Sequence, residues 1–374
     1  MLTTNHDTHG AMPAAPTPQP LSAALRALIH AMPKVELHCH LLGSVRHATF
    51  AALAHRNKAP LSDEEIDAFY VRGDKPVGVL RALRTLDRCV LVSAHDLHRI
   101  AYEYLEDAAS HGVRYSEFFW NPTGTVRVSG IGYAAAQSAI VAAIEDAQRD
   151  HGIIGRLVPS IDREADLQAA LDMVGWVTAH RVPHVVGIGM DYREVDHPPQ
   201  RFVAAYAAAR RAGLRTTAHA GEFGMPWPNV RTAVEQLHCD RIDHGYTIVD
   251  RPELARQYAE RGIVFTVVPT NSHYLRTLPA DRWALDHPIR RMVQLGLSVH
   301  PNTDDPTLHH VTPSGAWQLM VTHFGCSVAD LRRFMLNGLR GAWVDPTTRA
   351  DWTAEWAAEF DALASAAEGA APGA

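Results

Sequence analysis

His38 and His40 stand in Val-Glu-Leu-His-Cys-His-Leu, a run whose apolar content reads as a strand. Strand side chains alternate faces, so both imidazoles point one way and Cys39 the other, which offers two nitrogen ligands to one cation. The pair alone decides little, because roughly one His-x-His is expected by chance in a chain with 23 histidines. Thr-Ala-His-Ala-Gly-Glu adds His219 and the carboxyl of Glu222, which suits a ligand plus a general acid. The plainer reading of Glu222 is a solvated loop or a cap. His244 follows Asp243 in Asp-His-Gly-Tyr, placed either to orient or deprotonate a metal-bound water or to be a polar loop residue. Asp304 and Asp305 sit in Asn-Thr-Asp-Asp-Pro. Adjacent buried carboxylates repel one another unless a cation or strong donors compensate. One carboxylate on a metal and the other on its water or substrate resolves that cost, and an exposed turn is the alternative.

The elements that must position these groups alternate along the chain. Short Val/Ile/Leu-rich runs at 34–41, 113–119, 154–160, 184–190, 214–219, 241–245, 263–268 and 297–302 read as strands. Helical spacing fills the intervals, for example at 133–149, 165–179, 200–212, 253–260 and 289–295. This pattern predicts an α/β fold, a (β/α)8 TIM barrel. An open doubly wound sheet is the alternative, but no Gly-x-Gly-x-x-Gly follows a strand. The long interval 45–112, which includes Phe69, Tyr70, Leu80 and Leu83, is expected to supply extra helices after strand 1 that cap the C-terminal face. All four chemical groups fall at the C-terminal ends of expected strands 1, 5, 6 and 8, which converge on one mouth in a barrel. Three histidines and an aspartate, His38, His40, His219 and Asp304, suit one divalent ion per chain, zinc foremost.

From about residue 33 to 345 the chain resembles the adenosine/adenine deaminases of the metal-dependent amidohydrolase type. The resemblance rests on Pro-Lys-Val-Glu-Leu-His-Cys-His-Leu, His-Ala-Gly-Glu, Ile-Asp-His-Gly and Asn-Thr-Asp-Asp-Pro, in the family's order. It implies that His38, His40, His219 and Asp304 bind Zn2+ and that Glu222 gives a proton to a purine ring nitrogen. It also implies that His244 assists the zinc-bound water, that Asp305 contacts water and substrate, and that Gly189 and Leu42 face the substrate. The implied reaction is hydrolytic deamination of a 6-aminopurine, with zinc lowering the pKa of its water towards ~7, a protonated carboxyl as acid and no organic cofactor. Three stretches depart from the family. Leu42 stands where an acidic residue usually faces the ribose, and by this reading leans the substrate away from unmodified adenosine. Gly-Ile-Gly-Met-Asp-Tyr-Arg-Glu with the later Asp-His-Pro-Pro looks more like the adenine-deaminase branch, and Val-Val-Pro-Thr-Asn-Ser is a loose form of the family's Pro-x-Ser-Asn. The alternatives are a deaminase or hydrolase of another amino-heterocycle or an N6-substituted purine, and a catalytically silent member.

Composition narrows the partners. The 374 residues are 47% hydrophobic and 20% charged, enough for one large core. With 41 acidic and 35 basic residues the net charge is −6, which argues against nucleic acid or an anionic membrane as partner and leaves a small-molecule purine. The four cysteines are far apart with no Cys-x-x-Cys, so neither a disulfide framework nor a thiolate zinc site is expected. No apolar run reaches the ~18 residues of a membrane span. No basic segment leads into an apolar stretch at the N-terminus. The expectation is a soluble cytoplasmic enzyme: a disordered Pro-rich tail at 1–20, a single domain at 21–363 and a flexible Ala/Gly-rich tail at 364–374.

Overall fold

The computed structural model describes residues 20–71 and 78–369. The expected N-terminal tail thus falls almost wholly outside the described residues. Within them the strands are β1 (Lys34–Glu36), β2 (Val113–Trp120), β3 (Ile154–Asp162), β4 (Gly187–Asp191), β5 (Arg215–Thr216), β6 (His219–Ala220), β7 (Arg241–His244), β8 (Val264–Val267) and β9 (Ser298–Pro301). Every pairing is parallel, in the orders β1-β2-β3-β4-β5 and β6-β7-β8-β9. Strands covered by helices are buried on both faces, and β2, Val-Arg-Tyr-Ser-Glu-Phe-Phe-Trp, is buried at every position but Arg114.

The two sheets are one ring. β5 and β6 are halves of the single strand expected at 214–219. The ladder breaks at Thr217, whose hydroxyl donates to Arg241 O (3.2 Å) and Asp243 Oδ2 (2.9 Å). On the other side the ring closes where His40 N donates to Asp304 O (2.8 Å) and Asp304 N to His38 O (2.9 Å). These eight strand positions form the expected (β/α)8 barrel. The first strand is regular only to Glu36. Beyond it the backbone holds isolated bridges, Cys39 to Asp304 and His40 to Phe119, so the two histidines sit in the seam between strands.

The interval after β1 folds into helices, among them His47–Arg56, Asp63–Phe69, Val79–Thr85 and Ala94–Ser110. The helix Val79–Thr85 overhangs the C-terminal mouth, as expected of a cap. Leu80 and Leu83 line the cavity there, whereas Phe69 and Tyr70 pack on Phe50 away from it. At the other end the helix Pro346–Gly369 continues through 364–369, where a flexible tail was expected. The Ala-rich sequence favours helix, and Ala364 and Ala367 pack against the core. No described helix is long and apolar enough to cross a membrane.

Candidate active site

Four of the expected chemical residues, His40, Glu222, Asp304 and Asp305, line one cavity of about 590 Å3 at the C-terminal strand ends, and His38, His219 and His244 lie buried against them. His38 and His40 flank the buried Cys39, and both rings turn toward Asp304. His38 Nε2 lies 3.4 Å and His40 Nε2 3.1 Å from Asp304 Oδ1, and His40 Nε2 lies 3.1 Å from His219 Nε2. A tetrahedral site with bonds of ~2.1 Å has edges of roughly 3.4 Å, so this spacing fits a divalent ion. His38 Nε2 is fully buried and has no hydrogen-bond partner among the described residues, as expected of an atom reserved for a cation. Asp304 holds φ +66°, a strained backbone that the two ring-closing hydrogen bonds maintain.

The opposite nitrogens of the three rings are also held. His38 Nδ1 lies 3.0 Å from Thr266 Oγ1, His40 Nδ1 3.3 Å from Asp191 Oδ2, and His219 Nδ1 3.4 Å from Asp243 Oδ2. Such partners fix the tautomer and aim the remaining nitrogen at an ion. Asp243 also accepts from Thr266 Oγ1 at 2.8 Å. Burial alone would raise its pKa, but the hydrogen bond with His219 and the charges of His38, His219 and Arg241 outweigh burial and hold it below the usual carboxylate range. Asp191 and Asp243 stand against the outer nitrogens of His40 and His219, a placement that residue types and spacing left unread, although both lie inside motifs quoted for other reasons.

Glu222 and His244 face each other beside this cluster. Glu222 Oε1 accepts from Asn271 Nδ2 at 2.9 Å, and Oε2 lies 3.4 Å from His244 Nε2. Burial and then the nearby Asp304 charge push the Glu222 carboxyl well above its ordinary pKa. Burial drives His244 the other way and keeps it neutral. His244 also holds φ +64° and shares its Nδ1 with the Tyr246 hydroxyl at 3.2 Å. Its ring centroid lies 4.6 Å from that of His38, and ligand atoms of His38, His219, His244 and Asp304 lie within 4.8 Å of one another, a set that leaves out His40. His40 Nε2 nonetheless lies 3.1 Å from both Asp304 Oδ1 and His219 Nε2, which keeps it beside Asp304 and His219 as a ligand candidate.

The loop carrying His219 and Glu222 is braced from beneath by two buried charges that the motifs did not flag. Glu194 accepts from Gly221 N and Glu222 N, both at 3.1 Å, and from Asn229 Nδ2 at 2.7 Å, while Arg163 Nη1 donates to His219 O at 2.8 Å. Asp305 is buried against Gly43, where a Cβ would stand 1.8 Å from its Oδ1, so only glycine fits there. His309, also unflagged, lines the cavity with Nε2 3.8 Å from Asp305 Oδ2.

Two residues implied to face the substrate, Leu42 and Gly189, are not among those that line this cavity. Leu42 is 3% exposed, sits in the 3-10 turn Leu42–Ser44 and belongs to the hydrophobic core, not to the cavity wall. The turn redirects the chain after His40. Gly189 is not on the wall either. A Cβ there would meet Ser160 Oγ at 2.5 Å and Phe119 Cε1 at 3.0 Å, so the missing side chain makes room for Phe119. The Phe119 ring lies 5.4, 5.0 and 5.5 Å from those of His38, His40 and His219. From β4 onward the wall is instead supplied by Asp191, Tyr192, Arg193 and Val195.

A parallel barrel with imidazoles and carboxylates gathered at one mouth defines an enzyme of the hydrolytic barrel class. The sequence profile of the adenosine deaminase family matches residues 33–356, and the chain belongs to that family. It is a hydrolytic deaminase. It is 30% identical over 317 residues to an adenine deaminase of Marinomonas sp. (strain MWYL1), covering 84% of this chain and 92% of that one. It is similar to an amidohydrolase from Burkhoderia ambifaria solved with bound Zn, with TM-score 0.93, 66% identity and 96% and 98% of the two chains covered. It is also similar to an adenine deaminase from Arthrobacter aurescens, with TM-score 0.79, 28% identity and 88% and 99% covered.

Proposed function

We propose that this protein is a zinc-dependent hydrolytic deaminase of a 6-aminopurine. The observation that carries the reading is the buried Glu222, its carboxyl pushed above its ordinary pKa by burial, beside the cluster His38, His40, His219 and Asp304, of which His40 and Asp304 line the same cavity as Glu222. His38, His40, His219 and Asp304 would hold the ion. When bound, it supplies an acidified water as nucleophile near neutral pH.

The chain's own groups do the rest. Glu222 gives its proton to the ring nitrogen beside the amino-bearing carbon, which lets water add there. Asn271 fixes the Glu222 carboxyl in place. His244, neutral and fully buried, orients the attacking water and accepts its proton. Asp305, buried at the cavity wall, is placed to contact both water and substrate. Transfer of the water's proton from His244 to the amino group then releases ammonia, and the new hydroxyl gives its proton back to the Glu222 carboxylate, which leaves the 6-oxo ring and consumes one water for each ammonia formed.

The test combines metal content with ammonia release from adenine, adenosine and a set of pterins. The expected outcome is about one divalent ion per chain, turnover of an aminopurine, and loss of both ion and turnover in His219→Ala. An undiminished metal content in that variant, or release from pterins alone, contradicts the reading.

A further inference from the structure

The cavity is polarised along its depth. Its inner end holds the carboxyls of Asp191, Glu222, Asp304 and Asp305, none more than 6% exposed. Its outer wall holds the exposed side chains of Arg81, Arg193 and Arg276. They come from three separate elements: the helix Val79–Thr85, the segment after β4 and the helix Ser272–Thr277. Between the two ends the wall is apolar, with Val79, Leu80, Leu83, Val195 and Phe223. Among the described residues the carboxylates that line the cavity are the buried Asp191, Glu222, Asp304 and Asp305, and Arg81 makes no ion pair with a described residue. The acid nearest Arg193 is Glu164, at 3.6 Å, and Glu164 is already engaged by Arg84 Nη2 at 2.9 Å.

Arginines at the opening attract an anionic group, which turns the other end of the molecule toward the buried residues. We propose that the substrate carries an anionic group, a phosphate or a carboxylate, at the end remote from its amino-bearing ring, and that Arg81, Arg193 and Arg276 select for it. This rests on the aminopurine reading above and narrows it. The volume agrees, since about 590 Å3 lies within the ~300–1,000 Å3 of sites for drug-sized ligands. A bare two-ring base has nothing to offer the arginines.

The test compares kcat/KM of the full, metal-loaded chain for adenosine, adenosine 5′-monophosphate and adenosine 5′-carboxylate at low and high ionic strength. The expected result is an anionic substrate favoured over adenosine by about tenfold or more at low salt, with the advantage shrinking as salt screens it. Which anion is preferred decides between phosphate and carboxylate. Arg81→Ala with Arg193→Ala, both at exposed positions, should cut the anionic-to-neutral ratio by roughly tenfold. A ratio of one or less, or one unmoved by the double substitution, overturns the proposal while leaving the deaminase reading intact. If no 6-aminopurine is deaminated, that reading fails. The opening is then judged by calorimetry: tighter binding of inosine 5′-monophosphate than inosine, lost in the double variant, upholds it, and equal binding overturns it.

Discussion

A carboxyl group serves as an acid only while it keeps its proton, and in this protein the surroundings of each carboxyl decide which ones do. Burial reinforced by Asp304 pushes the Glu222 carboxyl well above its ordinary pKa, whereas His219, His38 and Arg241 overcome burial and hold Asp243 below the usual carboxylate range. Asp87 shows the same physics away from the site. It is 2% exposed, neither carboxyl oxygen has a hydrogen-bond partner among the described residues, and its side chain packs against Gly124. Burial raises its pKa from 3.8 to about 7, against the pull of Arg84 and with the push of Asp162. The folded state therefore prefers the protonated form. The stability this contributes is fully present below pH 3.8, declines as pH rises and is lost above pH ~7. The span amounts to at most ~4 kcal/mol. Thermal unfolding between pH 4 and 8 should show Asp87→Asn flattening this decline, and parallel curves for the two proteins would rule the effect out.

At the scale of elements, β4 acts through what it omits. Gly189 leaves the space in which Phe119 backs His38, His40 and His219. Gly189→Ala should push that ring toward the histidines, an overpacking cost of ~1–3 kcal/mol, and lower both melting temperature and metal retention on dialysis. A raised KM with both properties unchanged would instead restore Gly189 as a substrate contact. This strand marks where the sequence stopped being legible. The alternation of His38, Cys39 and His40 and the recurrence of apolar runs are local facts, so the barrel, its mouth and the seven chemical residues could be read from them. Where Leu42 and Gly189 face depends on a 3-10 turn and on a phenylalanine from β2, which no local pattern encodes. The break at Thr217 likewise follows from its hydroxyl reaching β7. Glu194 and Arg163 went unread because a buried charge leaves no periodic trace in the chain.

The whole molecule places acids, imidazoles and arginines at different depths of one opening. The barrel brings strand ends from across the chain to the floor, and the interval after β1 adds Val79, Leu80, Arg81 and Leu83 to the wall. This division lets one end of a ligand be recognised while the other reacts, and it makes the chemistry depend on a single proton held at the floor. The account therefore turns on Glu222. Ammonia release from the preferred 6-aminopurine should be measured for the wild-type protein and for Glu222→Gln, with metal content and melting temperature determined on the same samples. The account predicts unchanged metal and fold with turnover reduced ~10²–10⁴-fold, since glutamine has no acidic proton to give. Wild-type turnover in Glu222→Gln would contradict it.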